Sequence, residues 1–348
     1  MVPSIDSQDS VTIHEPIDLD KRFRASHLLD SSRPKKTLDF GSGGVSCSIG
    51  TLGDIISLSI YHPEHGIVTL NPFEQFPGGE KFWDSSFVRN YRKNFLETFN
   101  SPGTGFGLKT TGIIEHLNLE YTDGQWPRIS YISDGAHLTS AFFITGGQDP
   151  VMINTLTVEI TQASAKAIEI DFGGTLSVNR ASYGQLTEGG PIPIPNCVNR
   201  ARYIDGLLSV QNPNLRAVFE CALYHDNKLL PLSGAPVDSS DPISVHHLTK
   251  INLEPFQKTQ VTALYRLKVC SNDTADSKGF KDHGPAYALP RKADLHFGAE
   301  WAPKNVEKLV VMRAYDYILS CCCVPINERA TCILTDHIAL PLGWHRDN

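Results

Sequence analysis

A set of aromatic and cationic side chains in this sequence has the right chemistry to grip an apolar molecule. Trp83, Arg89 and Tyr91 fall on one segment, Trp126, Arg128 and Tyr131 on another, and Trp301 and Trp344 near the end. Aromatic walls with one or two fixed donors hold apolar polycycles. Arg89, Tyr131 or Trp83 could donate a hydrogen bond to a carbonyl, which makes these three the candidate catalytic residues. Tyr91, Trp126, Arg128 and Trp344 are the candidate substrate-binding residues. Taken singly, each residue type is commoner as core or surface than as site.

Signatures of other chemistries fall short. Gly41-Ser42-Gly43-Gly44 lacks the Lys-Ser/Thr of a phosphate loop and reads as a turn. Gly103-Thr104-Gly105-Phe106-Gly107 lacks the strand-to-helix context of a dinucleotide site. The 13 histidines include no His-x-His pair, and in a strand His246 and His247 would point to opposite faces. His62 and His65 flank a turn and read as structural. No Gly-x-Ser-x-Gly elbow occurs. The eight cysteines include Cys321-Cys322-Cys323, which suit reduced thiols packed in a helix rather than a disulfide framework or a zinc site. The sequence therefore predicts neither a cofactor nor a metal.

Those residues need a scaffold, and the hydrophobic pattern predicts one that is mainly β. Short alternating runs appear at Val45 to Ile49, Ile55 to Ile60, Ile67 to Leu70, Gly112 to Tyr121, Arg128 to Ser133, His137 to Thr145 and Val151 to Thr161. Further runs are Ala167 to Phe172, Tyr203 to Val210, Leu215 to Leu223 and Thr259 to Val269. Asp123-Gly124 and Asp134-Gly135 are hairpin signals. Phe87, Tyr91, Phe95 and Phe99 recur at helical spacing after a cap at Asp84 or Ser85. A second helical pattern covers Asn305 to Cys323 and stops at Val324-Pro325. Pro191-Ile192-Pro193-Ile194-Pro195 stiffens a long loop.

The expectation is a two-layer antiparallel β-sandwich with one internal helix and a helical C-terminal extension. Residues 1–37 would form a tail or outer strand, 38–303 the sandwich and 304–348 the extension. A chain of 348 residues can bury a sizeable core. The net charge of −7, with no basic cluster to offset it, disfavours nucleic acid as a partner. No run reaches the roughly 18 apolar residues of a membrane span, and residues 1–10 carry no apolar leader. These features predict a cytoplasmic protein.

Ile60-Tyr61-His62-Pro63-Glu64-His65-Gly66-Ile67 and Asn71-Pro72-Phe73-Glu74-Gln75-Phe76-Pro77 resemble the N-terminal half of fungal six-hairpin glycosidase-like proteins. Leu340-Pro341-Leu342-Gly343-Trp344-His345-Arg346-Asp347-Asn348 resembles the start of their catalytic half, with His345 where Asn is expected. The resemblance implies a supersandwich-like β domain, with 305–323 as linker or first barrel helix and the (α/α)6 barrel missing. Glycoside cleavage needs two carboxyl groups across the scissile bond, and the expectation is a chain without the barrel that would hold them.

By overall likeness and by that truncation, the chain also resembles norbornene-forming Diels–Alderases of fungal terpenoid biosynthesis. This resemblance implies a cofactor-independent cyclase acting on an apolar terpenoid or polyene. Such an enzyme folds the substrate so that diene and dienophile meet, and a donor to the dienophile carbonyl adds electrostatic stabilisation. About 4 kcal/mol off the barrier gives roughly a thousandfold. A carbohydrate-binding module or inactive glycosidase-like protein, and a fragment of a glycoside hydrolase, are the alternatives.

Overall fold

The computed structural model describes residues 25–26, 38–72, 105–122, 126–146, 149–181, 198–270, 284–285, 323–327 and 330–333. The strands in chain order are β1 (Ala25–Ser26), β2 (Leu38–Ser42), β3 (Val45–Ile49), β4 (Ile55–His62), β5 (Gly66–Asn71), β6 (Gly107–Thr110), β7 (Ile114–Thr122), β8 (Trp126–Ser133), β9 (Ala136–Ile144) and β10 (Met152–Ile160). They continue with β11 (Lys166–Ala181), β12 (Asn199–Ile204), β13 (Leu207–Asn212), β14 (Ala217–His225), β15 (Lys228–Leu230), β16 (Val237–Ser239), β17 (Ile243–Leu253), β18 (Lys258–Val269), β19 (Cys323–Asn327) and β20 (Ala330–Ile333).

An 11-stranded sheet runs β1-β7-β8-β9-β10-β18-β14-β13-β12-β16, with β15 on β14. A seven-stranded sheet runs β17-β11-β5-β4-β3-β2, with β6 on β11. The pairings between these strands are antiparallel. The sheets pack face to face. Phe106 and Phe172 from the small-sheet side meet Phe219 and Tyr265 of the large sheet, with ring centroids 5.9 to 6.3 Å apart across the interface. At the other end Phe40 of β2 lies 6.1 Å from Phe142 and 6.3 Å from Trp126. Tyr121 adds a polar tie: its hydroxyl accepts from the Asp39 N–H and donates to the Asp39 carbonyl. The predicted antiparallel sandwich is present.

The large sheet is nevertheless buried on both faces. Phe219, Cys221 and Leu223 point into the sandwich, while Val218, Glu220, Ala222 and Tyr224 alternate to the far side, and every residue from Ala217 to Tyr224 is buried. Gly284 lies against that far face, where a Cβ would come 3.4 Å from the Tyr224 ring. Two layers therefore do not describe the whole burial. A strand with both faces covered reads as a continuous apolar run, which is the pattern of β14.

The turns follow their chemistry. Gly43-Gly44 joins β2 to β3 at φ 60° and 81°, and Asp134-Gly135 joins β8 to β9 at φ 51° and 76°. Asp123-Gly124 lies outside the described residues. Three expectations change. The single run Tyr203 to Val210 is two strands, split where Asp205-Gly206 turns at φ 53° and 82°. The run Ala167 to Phe172 extends to Ala181, because Gly173-Gly174 continues the strand instead of ending it. Gly174, at φ 133°, has no room for a side chain, since a Cβ there would meet the Gly105 carbonyl oxygen at 2.2 Å.

The third change is at the C-terminal end. Cys323, Val324 and Pro325 belong to the strand of a β19–β20 hairpin, so Cys323 does not end a helix there. The predicted helices over 84–99 and 305–322 lie outside the described residues.

Candidate functional site

The far face of the large sheet carries a buried ion cluster. Register places Glu220 of β14 opposite Arg266 of β18, both on the side turned from the core. Arg266 donates from Nε (3.0 Å) and Nη2 (2.6 Å) to Glu220 Oε2, and from Nη1 to Asp149 Oδ2 (2.6 Å). Lys268 Nζ stands 3.7 Å from the same Glu220 oxygen. The Glu220 and Arg266 side chains are 1% and 4% exposed, whereas Asp149 is 61% exposed. The guanidinium thus bridges the buried Glu220 carboxylate and the exposed Asp149 carboxylate. Glu220 Oε1 is buried and has no hydrogen-bond partner among the described residues.

The surroundings are apolar. Leu264 alternates with Arg266 on the same face, beside Ile153 and Ala222, and Phe143 sits beyond Ile153. All four of these side chains are buried. Tyr224 adds a phenol whose pKa is raised by burial.

Next to this cluster a cleft of about 260 Å³ is lined by Arg200, Gln211, Asn212, Arg216 and Cys270, with Pro213 and Ala217. Its floor is the 3-10 turn Pro213–Leu215, where Asn212 Oδ1 accepts from the Leu215 N–H and Arg216 closes the turn in the left-handed region at φ 47°. Asn212 Nδ2 donates to the Val178 carbonyl at 2.8 Å. Arg216 pairs with Glu64. Burial pushes the Cys270 thiol up; Lys268 and Arg266 pull it down and Glu220 pushes it further up, which ties the cleft to the ion cluster. Cys270 is a free thiol, as are the buried Cys47 and Cys221. No group of metal-ligating side chains occurs among the described residues.

The sequence candidates fall elsewhere. Trp126 is buried edge-on to Phe40. Tyr131 is buried, hydrogen-bonds the Thr110 backbone, and has its pKa raised strongly by desolvation. Arg128 is exposed and pairs with Glu120 at 3.4 Å. Arg128 and Tyr131 are three apart in one strand and so point to opposite faces; the structure does not bring them together. Trp83, Arg89, Tyr91, Trp301 and Trp344 lie outside the described residues. Sequence reasoning missed Glu220 and Arg266. The signal was available: one acid and one base, each alone inside an apolar strand run, Val218-Phe219-Glu220-Cys221-Ala222 and Ala263-Leu264-Tyr265-Arg266-Leu267.

The histidine readings hold. His62 is buried, and its Nδ1 accepts from the Glu64 and His65 N–H groups at 3.0 and 3.1 Å. His246 and His247 point to opposite faces, the first to Asp171 and the second to the Tyr203 ring. No helix among the described residues is long and apolar enough to cross a membrane.

No protein-family model matches the sequence, and no curated protein matches it. Among solved structures, a candidate kojibiose phosphorylase from the human microbiome aligns over 84% of this chain at 8% identity and a TM-score of 0.39. This chain spans only 37% of that protein's length. The Slr1438 protein of Synechocystis sp. PCC 6803 aligns over 68% of this chain and 96% of its own, at 9% identity and TM-score 0.34. A galactose mutarotase-like protein from Clostridium acetobutylicum aligns over 71% of this chain and 98% of its own, at 8% identity and TM-score 0.33. Similarity at this level assigns neither a family nor an activity.

Proposed function

We propose that the protein is a cofactor-independent cyclase of the intramolecular Diels–Alder type, acting on an apolar terpenoid or polyene against the far face of the large sheet. The supporting observation is the Arg266 guanidinium, fixed by Glu220 within an apolar patch and paired at Nη1 with the exposed Asp149 carboxylate. Arg266 takes the donor role for which the sequence offered Arg89, Tyr131 or Trp83. A substrate carbonyl displaces the exposed Asp149 carboxylate from Nη1 and accepts its hydrogen. Electron density drawn to that oxygen lowers the barrier as the two carbon–carbon bonds form. Phe143, Ile153 and Leu264, all buried, give the guanidinium an apolar backing that strengthens its hydrogen bond. No proton is transferred and no covalent intermediate arises.

The test is to incubate purified protein with linear trienes bearing a terminal aldehyde and follow cyclisation by chiral chromatography. Acceleration with one enantiomer in excess supports the reading. Rates and product ratios equal to buffer across the panel overturn it.

The cleft favours a second reading. Arg200, Gln211, Asn212 and Arg216 form a polar lining suited to a hydroxylated or anionic ligand, as expected of a carbohydrate-binding module. Binding on a glycan array, lost in Gln211→Ala, would favour it over the cyclase.

A further inference from the structure

A second cluster lies on the opposite side of the molecule, on the outer face of the small sheet, and plays no part in the function proposed above. His246 of β17 places Nδ1 2.8 Å from Asp171 Oδ2 of β11 and Nε2 3.3 Å from Ser244 Oγ. Ser244 and His246 are two apart in one strand and so share a face. Register sets Gly173 directly opposite His246, with Asp171 two residues further along β11. A Cβ on Gly173 would fall 2.7 Å from Asp171 Oδ1. The missing side chain is what lets the carboxylate lean along the strand to the imidazole.

Chemistry then fixes the tautomer. An ionised carboxylate only accepts, so in the neutral imidazole Nδ1 carries the hydrogen and Nε2 presents its lone pair to the Ser244 hydroxyl. Asp171 is largely buried, with its side chain 13% exposed, while His246 is 55% exposed and Ser244 is exposed. Lys109 of β6 stands directly across β11 from Asp171 in the register. A base oriented by a third group and in reach of a hydroxyl is the arrangement that activates a nucleophile.

The geometry points to Ser244 as a nucleophile for activated acyl esters, with His246 as general base and Asp171 as the residue that positions His246. In the forward step Ser244 Oγ attacks the acyl carbon and its proton passes to His246 Nε2. The leaving alcohol takes that proton, and water, activated by the same nitrogen, releases the acid and restores the serine. The dyad supplies a base on an open sheet face, so reactive esters rather than amides are the expected class.

The experiment is covalent labelling of the full chain with a fluorophosphonate probe, in which Ser244 Oγ bonds phosphorus and fluoride leaves, with the site read by tandem mass spectrometry. We expect the label on Ser244 and none in Ser244→Ala. His246→Gln should slow labelling about a hundredfold, in the range of general-base contributions. Asp171→Asn offers an N–H to Nδ1 and selects the wrong tautomer, so it should slow labelling comparably, while Asp171→Glu restores part of the rate. Equal thermal melting of these variants separates positioning from folding. An unlabelled Ser244, or one labelled equally fast in wild type and His246→Gln, overturns the proposal.

Discussion

The two outer faces of this sandwich hold similar polar inventories under opposite conditions. On the large sheet Glu220 and Arg266 are almost wholly withdrawn from water, and on the small sheet His246 stands 55% exposed beside Asp171. Burial of both members makes the first pair a commitment of the fold, whereas the second joins a buried member, Asp171, to an exposed one, His246. A charge held in a low-dielectric site must keep its partner, whereas an exposed member is screened and can be altered with little effect on folding. A fixed donor that needs no reorganisation therefore sits on the large sheet, and a base free to exchange protons with solvent sits on the small one.

That contrast can be broken most severely at Arg266. Arg266→Ala leaves the buried Glu220 with only Lys268, 3.7 Å away, in place of two short guanidinium hydrogen bonds, and urea unfolding should report a loss of about 3 kcal/mol. The double replacement Glu220→Leu with Arg266→Met should recover most of it, because the charges left without a partner, Asp149 and Lys268, are the ones that reach water. If the single and double variants unfold alike, the pair is not held as described. Phe172→Ala would remove a ring packed on Phe106 and Tyr265, at a cost of about 3–5 kcal/mol for a large core aromatic. This core loss should lower stability without touching either polar face.

A smaller effect comes from pH. His62 titrates below its ordinary value, chiefly through burial, then through the His65 and Arg216 charges, with Glu64 acting the other way. His247 is lowered chiefly by burial, opposed by Asp171 and reinforced by His246. In the unfolded chain both take up a proton near pH ~6.5. Because the folded values are depressed, their stabilisation is present above about 6.5 and is lost as pH falls from there through the folded values. Denaturant midpoints should drop over that window, and His62→Asn should flatten the slope. The smallest effect is at His246→Gln, where the replaced side chain is exposed and unfolding should change by less than about 1 kcal/mol while reactivity at Ser244 falls.

The sequence made the sandwich legible where alternation and turn chemistry agreed. Val45 to Ile49, Ile55 to Ile60 and Asp134-Gly135 behave in the fold as their patterns predict. It misled where one residue type carries two meanings. Gly173-Gly174 looked like the end of a strand, yet it is where β6, β17 and the 105–106 segment approach β11 too closely for side chains. β17 passed unread because Ser244-Val245-His246-His247-Leu248-Thr249-Lys250 is polar for a strand, and its outward positions are the ones that carry the second cluster. The candidate sites were hidden for a further reason. Glu220 with Arg266, and Asp171 with His246, are 46 and 75 residues apart in sequence and meet only through strand register.

The most direct test of the account follows Arg266 itself. The ¹⁵Nε resonance of Arg266 should be recorded while a norbornene carboxaldehyde, a bicyclic mimic of a cyclised product, is titrated into the protein. The account predicts a saturable shift at Arg266 Nε and at the Glu220 amide, with the His246 ring resonances unmoved. Perturbations confined to His246 and Ser244, or no shift at Arg266 at saturating ligand, would contradict it.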